Sequence, residues 1–368
     1  MADRLPPPTA EQLGWLSVAP PTDEHEEPIE WTLTDCSIEE ARWATPIVHE
    51  QLTLERVQIT AVQWQGPVFR NCVLREVAFV RSAFARARFE NVTFEKCSFE
   101  RSTFENCGFD HCRFIDCAMT HQIAIRTALR FCELERLSLL VLDMREGDLS
   151  GSTFKESSLQ GPRISESRAE TLTIVGGELQ GADWTACELS ELRLDGVKVE
   201  GLRILDSELG AATLSEGRVE GLAISGSKIA RIALDRCSEL PGARLIDCRV
   251  EALLIDACPS VASPLLSDCS LGRFAVRGSV LYDASFERLE VAHARFEQSE
   301  LTGVQFQDGA WQVLELVDVA LNDYVAVRST RFDQLRFDRA KLDPNLDLRL
   351  DGDQYGDGSM TWGGARGP

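Results

Sequence analysis

Twelve cysteines are the first residues in this 368-residue sequence that could do chemistry: Cys36, Cys72, Cys97, Cys107, Cys112, Cys117, Cys132, Cys187, Cys237, Cys248, Cys258 and Cys269. Thiolates bind zinc or close into disulfides, and a zinc site usually announces itself as a Cys-X-X-Cys pair. No such pair occurs. The histidines are His25, His49, His111, His121 and His293. His111, between Asp110 and Cys112, comes nearest to a reactive group, but it reads as a surface ring. No nucleophile elbow, phosphate loop or His-Glu-X-X-His is present. The stretch Asp351-Gly352-Asp353-Gln354-Tyr355-Gly356-Asp357 begins like a calcium loop. Tyr355 and Trp362 stand where oxygen ligands are needed, so it reads as a solvated turn. The sequence therefore supplies no catalytic, cofactor-binding or metal-ligating residue, and no cofactor is expected.

What the cysteines share is a position in a repeat. Cys72, Cys97, Cys107, Cys112, Cys117, Cys132, Cys187 and Cys237 are separated by multiples of five. Two residues after each stands an apolar residue, and these apolar positions form an unbroken frame from Leu54 to Leu234: Leu54, Ile59, Trp64, Phe69, Leu74, Phe79 and onward. No charged residue enters it, and its smallest members are Ala124 and Ala169. A period of five matches neither a helix nor a flat strand. It suits a chain that turns a corner every five residues and points one side chain inward on each face. The cysteine slot also accepts Ser82, Ala87 and Val92, so it selects a small side chain beside a large one. Cys248, Cys258 and Cys269 keep the slot beyond the frame, and Cys36 precedes Ile38 in the same way.

This pattern resembles the pentapeptide-repeat family, whose quintets run roughly Ala-(Asp/Asn)-Leu-X-X. Ala182-Asp183-Trp184-Thr185-Ala186, Cys97-Ser98-Phe99-Glu100-Arg101 and Cys187-Glu188-Leu189-Ser190-Glu191 carry the likeness, which covers about residues 52–342. It implies an all-β fold, a right-handed quadrilateral β-helix with four quintets per coil. Gly161, Gly181, Gly201 and Gly221, spaced by twenty, agree with that coil length and suggest a corner with φ > 0. Residues 54–342 would make roughly 14 coils, about 70 Å of stack at the ~4.8 Å strand spacing. Stacking of Phe79 on Phe99 and of Phe94 on Phe114 is expected to add to burial.

The organisation expected is an acidic, Pro-rich and partly irregular arm over 1–50, the β-helix over 51–342, and a flexible Gly/Asp-rich tail over 343–368. The frame slips by one residue near 238, near 259–264 and near 323, as bulges would cause. Acidic residues number 59 against 38 basic ones, net -21, and the first fifty residues hold -9 of it. An acidic chain argues against direct nucleic-acid binding by phosphate neutralisation. No apolar run approaches the roughly 18 residues of a membrane span, so no membrane partner is expected. Met1-Ala2-Asp3-Arg4 leads into prolines, which is no signal peptide, and the number of thiols favours a reducing cytoplasm.

Two surfaces stand out. In 123–141 the frame holds, yet Ile123, Ile125, Phe131, Leu140 and Val141 would face outward, the mark of an interface or of coverage by the arm. Glu200 and Glu220 would stack as an acidic pair. The primary expectation is a non-enzymatic bacterial protein–protein interaction scaffold or adaptor. Some members of the family are accessories of secretion or contractile-injection systems, which makes such a component one implied partner. The alternative implied by other members is a DNA mimic that modulates or protects DNA gyrase or topoisomerase IV. Glu90, Glu95, Glu100, Glu105 and Asp110 fall on successive faces as a ring, and Arg81, Arg86, Lys96 and Arg101 dilute it. The tail holds no apolar helix of the kind through which some relatives dimerise, so monomer and dimer both stay open.

Overall fold

The computed structural model describes residues 31–43, 48–351 and 359–363. The first thirty residues, where the Pro-rich arm is expected, lie outside the described residues, as does most of the calcium-loop-like stretch. The chain divides into two compact units, Met1–Glu178 and Leu179–Pro368. Among the described residues each unit is built from short strands in parallel register, without a helix. No helix there is long and apolar enough to cross a membrane.

From His49 onward the register in the first unit is twenty residues per coil. Leu74 lies opposite Phe94, Phe94 opposite Phe114, and Phe114 opposite Leu134. The same step joins Phe79 to Phe99, Phe84 to Phe104, and Phe89 to Phe109. Four inward columns therefore line a four-faced solenoid, and their side chains are buried. Rings one coil apart lie nearly parallel: Phe79 and Phe99 are 4.9 Å apart at 11°, Phe94 and Phe114 4.6 Å at 5°. Rings on neighbouring faces meet edge-on, as Phe104 and Phe109 do at 5.5 Å and 72°. Both arrangements suit the aromatic quadrupole.

The small slot does more than make room. Cys97 Sγ lies 3.2 Å from the Leu74 carbonyl and Cys112 Sγ 3.3 Å from that of Phe89. Ser102 Oγ donates to the Phe79 carbonyl at 3.3 Å, and Thr127 Oγ1 to that of Phe104 at 3.1 Å. A thin side chain with a donor thus tethers one coil to the carbonyl of the coil below. Gln122 occupies this slot too, buried, with Nε2 on the Phe99 carbonyl at 2.8 Å. The long amide fits because the inward residue beside it is only Ala124, which accounts for that weak frame position.

The corners differ from the glycine-based expectation. Gly161, Gly181, Gly201 and Gly221 do have positive φ, from 58° to 73°. Most other corners do as well, though charged or bulky residues occupy them: Arg81 at 50°, Lys96 at 51°, Phe131 at 53°. Left-handed backbone costs an L-residue roughly 1–2 kcal/mol, and here each corner N–H gains a bond to the next coil, as Arg81 N–H does with the Glu100 carbonyl at 2.8 Å. In the second unit another set of corners is extended. Glu191, Ala211 and Arg231 lie inside the eight-residue strands Glu188–Asp195, Glu208–Ser215 and Lys228–Asp235.

Strands extend past both expected boundaries. Trp31–Glu39 pairs with Leu52–Thr60, setting Leu33 opposite Leu54 and Ile38 opposite Ile59. The register there is 21 residues and returns to 20 between His49 and Phe69, so a five-residue count from Leu54 loses it. His49 fills an inward position and stacks on Phe69 at 4.8 Å. At the other end, Asp347–Asp351 pairs with Tyr324–Arg328, and Ser359–Gly363 with Gln334–Asp338. The tail expected to be flexible thus contributes two strands, at registers of 23 and 25 that hide the period.

Within the second unit the register steps from 20 at Ser215–Asp235 to 21 at Arg218–Glu239. It is 21 at Asp256–Arg277 and 20 again at Val261–Leu281. A third step falls between Thr302 and Val304, whose partners are Asn322 and Val325.

Candidate interaction surface

The outward apolar residues do not form one patch. Four inward residues, Phe114, Met119, Ala124 and Leu129, define the four faces of one coil, and the corners lie between them. Val141 turns the corner between the Met119 and Ala124 columns, while Phe131 turns the one between the Leu129 and Phe114 columns. These corners are diagonal to each other across the square. Phe131 is 54% exposed, lies 5.1 Å from the His111 ring, and projects over Gly151, where a Cβ would meet its Cδ1 at 2.4 Å. It is an isolated outward stack.

Leu140, 40% exposed, and Ile123, 43% exposed, do share a corner. Leu140 sits above Thr120, and Ile123 follows three residues on, below Asp143. Half-buried Val141 lies between their two faces with φ at 59°, an outlier for a β-branched residue. Ile125, half-buried, belongs to the far end of the Ile123 face, opposite Arg145. The structure therefore unites Ile123, Leu140 and Val141 and separates Phe131 from them.

Glu200 and Glu220 stand in register on adjacent coils of the second unit. They are not a bare acidic pair. Lys198 Nζ reaches Glu200 at 2.8 Å and holds its carboxyl below the usual range. Gln180 Nε2 donates to Glu200 at 3.2 Å, and Arg218 pairs with Glu220 at 3.5 Å and Glu239 at 3.0 Å. In the first unit the acidic ring is similarly laced. Arg70 spans to Glu90 at 2.8 Å, Arg75 to Glu95 at 3.1 Å and Arg130 to Asp110 at 3.1 Å. Such exposed pairs are screened by water and contribute little to stability. Their larger effect is to shorten the reach of the field.

All twelve cysteines are buried and unbridged. Burial pushes Cys72 and Cys107 up to about 11 each, so neither is a nucleophile at neutral pH. Burial and the hydrogen-bonded neighbour Cys132 likewise push Cys112 up. Among the described residues no three His, Cys, Asp or Glu side chains could together hold a metal. His49, which the sequence reading left unassigned, is a core ring whose pKa burial lowers to about 4. The offset of twenty from Phe69 was the signal that could have found it.

Residues 87–168 match the family described as pentapeptide repeat region. That segment is a pentapeptide repeat region, and the five-residue apolar frame continues past it on either side, from Leu54 to Leu234. No curated protein matches it. Among solved structures it is similar to HetL, a pentapeptide repeat protein involved in heterocyst differentiation regulation from the cyanobacterium Nostoc sp. strain PCC 7120. That likeness has 13% identity and a TM-score of 0.27, and covers 54% of this chain and 86% of HetL. It is also similar to QnrB1, a plasmid-mediated fluoroquinolone resistance protein, at 14% identity and TM-score 0.24, over 46% of this chain and 90% of QnrB1. A PL6 family alginate lyase, AlyGC, aligns at 8% identity and TM-score 0.25, over 91% of this chain and 95% of the lyase.

Proposed function

We propose that the chain is a non-enzymatic protein-interaction scaffold of the bacterial cytoplasm. The observation that carries this reading is the corner formed by Ile123, Leu140 and Val141. Two large apolar side chains face solvent there, beside a valine in left-handed backbone. Positive φ is the rule at these corners, but two large apolar side chains left in solvent at one corner are a feature of binding surfaces. The gyrase or topoisomerase reading has less support, because arginines and a lysine span the carboxylates that would imitate phosphates.

A pull-down from the native host with the full chain and the double variant Ile123→Ser, Leu140→Ser tests the proposal. Partners kept by the wild type and lost by the variant are expected. Identical partners on both, or none on either, would overturn it. A component of a secretion or injection system among those partners would give the finer role. Inhibition or protection of purified gyrase in a supercoiling assay, unaffected by the variant, would favour the mimic instead.

A further inference from the structure

Within the second unit, one face is concave and carries the wrong charge for so acidic a protein. Its floor is the in-register row Ala233, Leu254 and Ala275, all half-buried, with Thr213 at one end and Arg295 at the other. One edge is the row Arg231, Ala252, Arg273. The other edge is Asp235, Asp256, Arg277 and Glu297. The hollow measures about 680 Å³ and is lined by five arginines against three carboxylates, a net +2 in a chain of net -21.

The arginines are not all spoken for. Arg236 pairs with Glu216 and Asp235, and Arg295 with Glu297 and Glu315. Arg231, Arg273 and Arg277 are exposed and make no ion pair among the described residues. Elsewhere on this surface arginine is commonly matched to a carboxylate one coil away, as Arg288 is to Asp268 at 2.6 Å. Above and below Arg231 and Arg273 that partner position holds Ala211, Ala252 or His293 instead.

We propose that this groove binds an extended, acidic segment of a partner protein, with carboxylates on Arg231 and Arg273 and its backbone along the Ala233–Leu254–Ala275 floor. The proposal rests on the scaffold reading and names a second surface for it. The five-coil floor spans about 19 Å at ~4.8 Å per coil, room for roughly six extended residues at ~3.3 Å each. Guanidinium forks suit carboxylates in bidentate geometry. A polypeptide fits better than a nucleic acid for two reasons. No aromatic side chain lines the floor to stack a base, and Asp235 and Asp256 on the far edge repel a continuous phosphate chain while accepting peptide N–H groups or a basic side chain.

The test is fluorescence anisotropy of the full chain with a labelled peptide of alternating glutamate and alanine, at low and at near-physiological salt. Saturable binding is expected, weakened at least tenfold by Arg231→Ala with Arg273→Ala. Arg244→Ala, an exposed unpaired arginine on a different face of the same unit, is expected to leave it within twofold. All three substitutions are on the surface, and an unchanged melting temperature verifies folding. Absence of saturable binding at low salt, or equal loss with Arg244→Ala, overturns the proposal. So does a single-stranded oligonucleotide that binds more tightly than the peptide and is lost with the same double variant. If the host pull-down still yields partners that depend on Ile123 and Leu140 while the peptide fails to bind, only the groove proposal falls.

Discussion

Replacing Phe94 with alanine removes a fully buried ring from the aromatic stack. Its ring lies over Phe114 at 4.6 Å and meets Phe89, Phe99 and Phe109 at 5.8, 5.7 and 6.3 Å. A buried Phe→Ala change costs about 3–5 kcal/mol, including the cavity. Each aromatic pair adds about 0.5–1.5 kcal/mol beyond area. The terms overlap, and four neighbouring rings put the expectation at the upper end, about 5 kcal/mol. The next residue outward provides the contrast. Glu95 pairs with Arg75 at 3.1 Å in solvent, and Glu95→Ala should cost under about 1 kcal/mol. Repeat arrays need not unfold in one step, so the assay is native-state amide exchange of Thr93–Glu95 and Arg113–Ile115 rather than a single melting curve. About 5 kcal/mol corresponds to a loss of protection of roughly 10³–10⁴-fold. A loss below tenfold, or the same loss for Glu95→Ala, would refute the inward assignment of this column.

Acid should loosen the first coil through His49. Unfolded, its imidazole takes a proton near pH 6.5, while in the folded chain burial holds it to about 4. Between those values only the unfolded chain binds the proton, so stability falls as pH drops from 6.5 toward 4, by up to about 3 kcal/mol. His49→Phe should flatten that dependence in the exchange of Val68–Arg70, its partner strand, and an unchanged slope would contradict the assignment. The cysteine slot can be tested at Cys112. Serine already fills the slot at Ser82 and Ser102, so Cys112→Ser should cost less than about 1 kcal/mol, whereas Cys112→Leu should overpack it by about 1–3 kcal/mol. Equal losses of melting temperature for the two would show that the thiol is more than a small donor.

The four-faced solenoid was readable because burial forces the same choice at every coil. A charged residue in the frame would lie unpaired among phenylalanines, so the apolar residue recurs every fifth position from Leu54 to Leu234. The ends were not readable. Leu33, Ile38 and His49 obey the same rule, but a single inserted residue shifts their count, and the strands at Asp347–Asp351 and Ser359–Gly363 follow longer connections. Nor could glycine spacing mark the corners, because the coil-to-coil hydrogen bond at Arg81 or Lys96 stabilises left-handed backbone in residues that avoid it.

By itself the sequence determined which side chains point inward, since inwardness is a property of each residue and its period. It also marked Ile123, Ile125, Phe131, Leu140 and Val141 as outward. Which outward residues are neighbours was decided only by the tertiary structure. Twenty residues of chain return to nearly the same place, while ten carry a side chain to the opposite corner. That is why Val141 and Phe131, close in sequence, stand diagonally apart. Arg231 and Arg273, forty-two residues apart, flank one floor for the same reason.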